Sequence, residues 1–147
     1  MMSMLLRPSS DALSPSNASL ATSALALSAR TAILELTDIH LEIKWPNDLV
    51  IDTPIDQLLD ADLGYRKVAG ILTETLISDT AIDALVIGIG LNTGWGEVPP
   101  ELQSVATSLD VLTKSAIDRN ALAFKILQNF ETQYTALSTP NGSQQLL

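Results

Sequence analysis

The sequence predicts an α+β fold: a mixed, largely antiparallel sheet with helices packed on one face. Three observations carry this. Helical apolar spacing near the N-terminus gives way to several short period-two segments, and helical spacing returns at the C-terminus. Two of the period-two segments flank Ser78-Asp79-Thr80, a turn region that can close a hairpin. The chain has 147 residues, 46% of them hydrophobic. That suits one domain of ~100–200 residues, able to bury ~68–70% of its unfolded surface without a disulfide or metal.

Taken in order, Ser3–Arg7 reads as a short apolar strand stopped by Pro8, and Ser9–Ser16 as a loop. From Asn17, an expected N-cap, Leu20, Ala24, Leu27, Thr31 and Leu34 recur at helical spacing, predicting one helix to about Leu36. Ile39, Leu41, Ile43 and Trp45 alternate with His40, Glu42 and Lys44, the period of a half-buried strand. Pro46-Asn47-Asp48 interrupts it, and Leu49–Ile51 resumes as a second short strand. Thr53–Tyr65 is acidic and reads as a loop insertion, with room for one helical turn at Asp56–Asp60. Asp56, Asp60 and Asp62 then belong to a solvated loop. Val68–Ile77 and Ala84–Leu91 are two longer strands. Gly94-Trp95-Gly96 and Pro99-Pro100 mark a loop, in which Trp95 is either a lid or an anchor. Thr107–Thr113 reads as a short helix, its Thr107-Ser108-Leu109-Asp110 start matching a capping pattern. Asp118 caps a final helix with the stripe Leu122, Ile126, Phe130, Tyr134 and Leu137. A polar tail occupies residues 139–147.

Composition excludes several functions. There is no cysteine, which removes disulfide frameworks, thiolate nucleophiles and Cys-based zinc sites. The single histidine, His40, on the polar side of its strand, makes Ser-His-Asp triads and poly-His metal sites improbable. No metal site is expected from side-chain clusters. The net charge of −9 disfavours a duplex DNA partner, which is held by clustered cations. No run approaches the ~20 apolar residues of a membrane span. Ser19, Thr22, Ser23 and Ser28 dilute the Ala18–Ala29 stretch, so a cytoplasmic protein is expected rather than a cleaved signal.

Three clusters look chemical. In Ala84–Leu91 the odd positions Leu85, Ile87, Ile89 and Leu91 form a core face, while the other face carries Gly88, Gly90 and, at its end, Asn92. Glycine weakens a strand interior by ~0.5–1 kcal/mol relative to alanine, so two on one face call for a ligand or another backbone approaching closely. A crossing helix would serve as well. The stretch is not a dinucleotide fingerprint, because it runs into a Gly/Pro loop instead of a helix. Lys44-Trp45-Pro46-Asn47-Asp48 is a well-made corner that leaves a tryptophan and a lysine unexplained. Arg66-Lys67-Val68-Ala69-Gly70-Ile71-Leu72 opens an apolar strand with two cations, suited to a carboxylate or phosphate.

In order, these three clusters followed by Ala106-Thr107-Ser108-Leu109 resemble the biotin protein ligase family, over roughly Met4 to Leu137. The resemblance implies residues 1–138 to be part of a catalytic domain with a class II aminoacyl-tRNA synthetase and biotin synthetase-like fold. It implies ATP-dependent activation of biotin to biotinyl-5′-AMP, then transfer to a lysine of a biotin carboxyl carrier protein. Lys67 would be the catalytic lysine at the biotin carboxylate and α-phosphate, and with it Arg66, Gly70 and Ile71 would bind biotin. Lys44, Trp45, Asn47, Asp48, Gly88, Gly90, Asn92, Ala106, Thr107 and Ser108 would bind ATP and the adenylate, with Mg²⁺ implied by ATP.

The family pattern also has a Gly-Arg-Gly-Arg-x-Gly-Arg run before the strand at Ser3, which these residues lack, and a tighter turn than Asp52–Tyr65. The chain alone is therefore expected to be poorly active, as a truncated catalytic domain. A lipoate ligase shares the Asn-Asp step and the Lys-x-x-Gly strand. A non-catalytic remnant, binding a ligand or partner or self-associating through an exposed sheet edge, is the alternative from another class.

Overall fold

The computed structural model describes residues 1–9, 13–53, 64–79 and 81–137. The strands in chain order are β1 (Met2–Leu6), β2 (Glu42–Lys44), β3 (Asp48–Asp52), β4 (Tyr65–Ser78) and β5 (Ala81–Leu91). The helices are α1 (Ser19–Thr37), α2 (Leu109–Thr113) and α3 (Arg119–Leu137). The expected helical turn at Asp56–Asp60 and the tail from residue 138 lie outside the described residues.

The sheet runs β1-β5-β4-β3-β2, and all four pairings are antiparallel. Its parallel contact is one isolated bridge, Lys67 with Ala106. Residues of alternating parity point to opposite faces. On β5 this puts Leu85, Ile87 and Ile89 into the core beneath the helices. Gly88 and Gly90 fall on the other, helix-free face, opposite Leu72 and Gly70 of β4. Among the described residues no helix crosses these glycines.

α1 touches both the sheet and α3. Its buried residues are Ala21, Ala24, Leu25, Ala26, Ser28, Ala29, Ala32 and Ile33. The expected stripe is rotated: of its members only Ala24 is buried, and Thr31 is exposed. A helix covered on two sides buries a wide arc, and small alanines let both neighbours approach. The outer Leu20, Leu27 and Leu34 stay half-buried. Asn17 is not the N-cap either. Pro15–Asn17 form a 3₁₀ turn that leads into α1, and Ala18 occupies the cap position without a side-chain bond.

The strand expected over Ile39–Trp45 shortens to β2. Asp38 closes α1 in the left-handed region (φ 56°), with its N–H bonded to the Leu34 carbonyl. The Thr37 hydroxyl then accepts from Ile39 N–H (3.2 Å), and Arg30 Nε donates to the Leu41 carbonyl (2.7 Å). The helix terminus thus engages backbone groups that a ladder would need. At the other end of the chain, Asp118 Oδ1 accepts from Asn120 and Ala121 N–H at 2.9 and 3.0 Å, the expected cap of α3. Leu122, Ile126, Phe130 and Leu137 are buried beneath it, with Tyr134 stacked on Phe130. Each such side chain contributes about 1.5–3 kcal/mol when fully buried. Among the described residues no helix is long and apolar enough to cross a membrane.

Candidate functional site

One irregularity decides which side chains share the helix-free face. Across β3 and β4, Asp48 faces Gly70 and Leu49 faces Ala69, but Val50 faces Lys67. Strict alternation would put Lys67 and Gly70, three residues apart, on opposite faces. The extra residue of the bulge, Val68, enters the core instead and returns Lys67 to the face of Gly70. A Cβ placed on Gly70 would lie 2.9 Å from Lys67 Nζ, so the glycine leaves the space that the ammonium occupies. Lys67 Nζ in turn lies 2.6 Å from Asp48 Oδ1.

Lys67 and Gly70 line a cavity of about 300 Å³ with Asn47, Ile71, Gly88 and Gly90, whose walls come from Leu72, Val86 and the acidic Glu74. Gly90 forms open floor: among the described residues a Cβ there would meet only the Gly70 carbonyl, at 3.9 Å. Gly88 sits against β1, where a Cβ would meet the Ser3 hydroxyl at 3.0 Å. Ser3 is a cavity residue that the sequence pattern does not reveal. Asn47 ties the corner to β4: its Nδ2 donates to the Ile71 carbonyl and its own carbonyl accepts Ile71 N–H, both at 2.8 Å. Ile71 therefore lines the cavity with its backbone N–H already engaged.

Other expected site residues lie elsewhere. Arg66 points away from Lys67, into a second hollow of about 550 Å³ that it shares with Gly96, Gln103, Ala106 and Thr107. The two hollows flank one backbone junction. Lys67 N–H donates to the Val105 carbonyl, and Thr107 N–H donates to the Lys67 carbonyl, both at 2.9 Å. Asn92 fixes that junction from β5: its N–H reaches the Val68 carbonyl (2.9 Å) and its side-chain amide the Thr107 carbonyl (3.0 Å). Asn92 is thus beside Lys67, but its side-chain donor holds the 105–107 segment. Trp45 is 84% exposed and lines neither hollow. Its bond to Pro46 is cis. Lys44 Nζ lies over the Tyr65 ring, 5.3 Å from its centroid.

Ser108 is fully buried and precedes α2, but its hydroxyl donates to the Asp110 carboxylate instead of capping a backbone N–H. Asp110 also accepts from Gly96 N–H (2.9 Å), Val111 N–H (2.9 Å) and Trp95 N–H (3.4 Å). The Ser108 hydroxyl, then the Gly96 N–H, hold its carboxyl below the usual carboxylate value. The short spacing in Ser108-Leu109-Asp110 suggests only a helix start, so this long-range role is invisible in sequence. A larger hollow of about 870 Å³, between β1 and α3, is walled mostly by apolar side chains such as Leu5, Phe124 and Leu127 and holds none of the expected site residues.

The cavity's ammonium, flanking carboxylate and bare glycine floor suit a ligand with an apolar body and an anionic group. Comparison with known proteins agrees in family terms. The family model described as "Biotin/lipoate A/B protein ligase family" matches residues 1–92. The bifunctional ligase/repressor BirA of Bacillus subtilis is 34% identical over 119 residues, 77% of this chain and 33% of that protein. The biotin–[acetyl-CoA-carboxylase] ligase of Mycobacterium tuberculosis is 32% identical over 115 residues, 78% of this chain and 36% of that protein. The structure of the Aquifex aeolicus biotin protein ligase in complex with biotin and ATP superposes with a TM-score of 0.71 at 29% identity. That match covers 92% of this chain and 50% of the other. The chain thus spans about a third of the length of these curated relatives and half of that solved chain.

Proposed function

The chain belongs to the biotin/lipoate A/B protein ligase family, and we propose that it carries acyl-adenylate chemistry of a biotin–[biotin carboxyl-carrier protein] ligase. In the first step a biotin carboxylate oxygen bonds to the α-phosphorus of ATP, and the bond to pyrophosphate breaks. In the second, a lysine amine of the biotin carboxyl carrier protein attacks the acyl carbon. AMP leaves with the bonding pair, and the amine loses a proton. A cytoplasmic setting, where ATP is at hand, belongs to this proposal.

The observation that carries the reading is Lys67, held by Asp48 at the edge of a cavity with a glycine floor. Both steps concentrate negative charge where carboxylate meets phosphate. A preorganised ammonium at that point stabilises the transition state more than the separated reactants. Lys67 is the proposed catalytic residue. Gly70, Gly88 and Gly90 give the flat floor on which the acyl group and its adenylate link rest, and Asn47 and Asp48 hold the wall. Arg66, Ala106 and Thr107, on the far side of the Lys67 backbone, form the nucleotide side, with Asn92 and Ser108 positioning them. Lys44 and Trp45 take the outer rim, the lysine adding positive potential. Among the described residues no three of His, Cys, Asp or Glu group together to hold a metal. The magnesium ion implied by ATP would be carried mainly by its phosphates.

The family model covers both biotin and lipoate ligases. Trp45-Pro46 and Ala69-Gly70-Ile71-Leu72 favour biotin. The test is to incubate the purified chain with ATP and radiolabelled biotin or lipoate. The expected outcome is biotinyl-AMP made slowly and only when Lys67 is present, since the Gly/Arg-rich run is not among these 147 residues. Preferential lipoyl-AMP formation would reassign the substrate. Biotinyl-AMP made at the rate of a full-length ligase would overturn the expected impairment.

A further inference from the structure

The second hollow has an outer wall that one carboxylate holds in place. Gly94-Trp95-Gly96 turns across from α2, and Asp110 accepts both the Trp95 and Gly96 N–H groups while binding Ser108 and Val111 at its own helix start. The turn is built to sit there. Gly96 has φ +70°, which favours glycine. At Gly94 a Cβ would meet Arg119 Nη2 at 3.4 Å and Asp110 Oδ2 at 3.5 Å, ordinary contact distances that show how closely the turn lies against the carboxylate. Behind this wall, Arg66 Nε is buried with no hydrogen-bond partner among the described residues. An arginine nitrogen left so has lost water without replacement, a cost that a ligand oxygen would offset.

We propose that Asp110 is a positioning residue, clasping the Gly94–Gly96 turn so that Gly96, with Glu97 and Val98 after it, walls the Arg66 hollow and shapes it for a nucleotide. This rests on the nucleotide-side assignment above. The charged groups around the clasp are Arg119 of α3, Glu97 next to the turn, Lys114 after α2 and Arg66 across the hollow. The Ser108 hydroxyl, then the Gly96 N–H, hold the Asp110 carboxyl below the usual carboxylate value. The clasp is therefore complete at neutral pH, and it is lost as pH falls below that value, when the carboxyl takes up a proton.

Trp95 reports on the clasp, because the chain has two tryptophans and Trp45→Phe leaves Trp95 alone. In that background, Asp110→Ala should raise acrylamide quenching of Trp95 about twofold, as a locally released turn would. Asp110→Asn, which keeps a carbonyl acceptor, should recover part of the difference. The parent should show the same rise on acidification below the usual carboxylate value, and Asp110→Ala should not. Isothermal titration with ATP should show a Kd raised about tenfold by Asp110→Ala, or ~1.4 kcal/mol. Unchanged quenching in both variants, with ATP binding intact, overturns the clasp alone. Increased quenching in a protein whose parent does not bind ATP sustains the clasp and overturns the nucleotide assignment on which its ligand rests.

Discussion

Lys67 Nζ lies 2.6 Å from Asp48 Oδ1 although strand alternation would direct Lys67 away from Gly70, the residue facing Asp48. The bulge residue Val68 makes the contact possible. The lysine side chain is 44% exposed and that of Asp48 20%. An ion pair so open to water contributes about 0–1 kcal/mol to stability. Its consequence is positional: it holds one ammonium over a surface without side chains.

Removing that ammonium should affect chemistry far more than folding. Lys67→Ala is expected to lower biotinyl-AMP formation about 10²–10³-fold, the usual effect of losing one electrostatic catalyst. Asp48→Asn leaves the charge but not its tether and should reduce the rate about tenfold, since a misplaced group still reacts less often. Thermal melts of both variants should stay within a few degrees of the parent. A large fall in melting temperature for Lys67→Ala would show that the residue is structural.

The glycine floor makes a steric prediction. At Gly90 a Cβ finds 3.9 Å of room, so Gly90→Ala should fold normally, whereas Gly90→Val should fill the cavity. β-branched residues suit strands, so Gly90→Val should keep or raise stability. It should also weaken biotin binding at least about tenfold, as extra methyl groups do in a close-packed site. Gly70→Ala acts differently, by pushing Lys67 Nζ from its 2.9 Å approach, and should lower the rate more than the affinity. Titration calorimetry and adenylate assays on the three variants separate these effects.

A third prediction concerns the fold alone. Asp118 satisfies two N–H groups at the start of α3, and Asp118→Ala should cost about 0.5–2 kcal/mol, read as a lower urea midpoint with an unchanged slope. Because α3 packs on α1, away from the glycine face, biotin binding by the folded fraction should not change.

Much of this arrangement was legible in the sequence, for identifiable reasons. Period-two alternation in Ala84–Leu91 sorts core from glycine face because side-chain direction in a strand depends only on parity. The Asp118 cap is a local signal between near neighbours. What escaped depended on distant contacts. The inward face of α1 is set by α3 and the sheet together, so Leu20, Leu27 and Leu34 lie at its half-buried flank while Leu25 and Ile33 go inward among the alanines. The bulge at Val68 reverses parity and brings Lys67 onto the face of Gly70, while simple alternation sends its neighbour Arg66 to the other hollow. Asp110 reads as part of a helix start, while its partners Trp95 and Gly96 lie 15 and 14 positions away. The position of Trp45 in the open likewise follows from the corner's connection to β4 through Asn47, not from its own hydrophobicity.

The placement of the ligand is most directly tested by a crystal structure of the chain with a non-hydrolysable biotinyl-adenylate analogue. The account predicts density across Gly70, Gly88 and Gly90, with the acyl–phosphate junction within about 3 Å of Lys67 Nζ and the adenosine towards Arg66 and Thr107. Density lodged instead between β1 and α3, or a junction out of reach of Lys67, would contradict it.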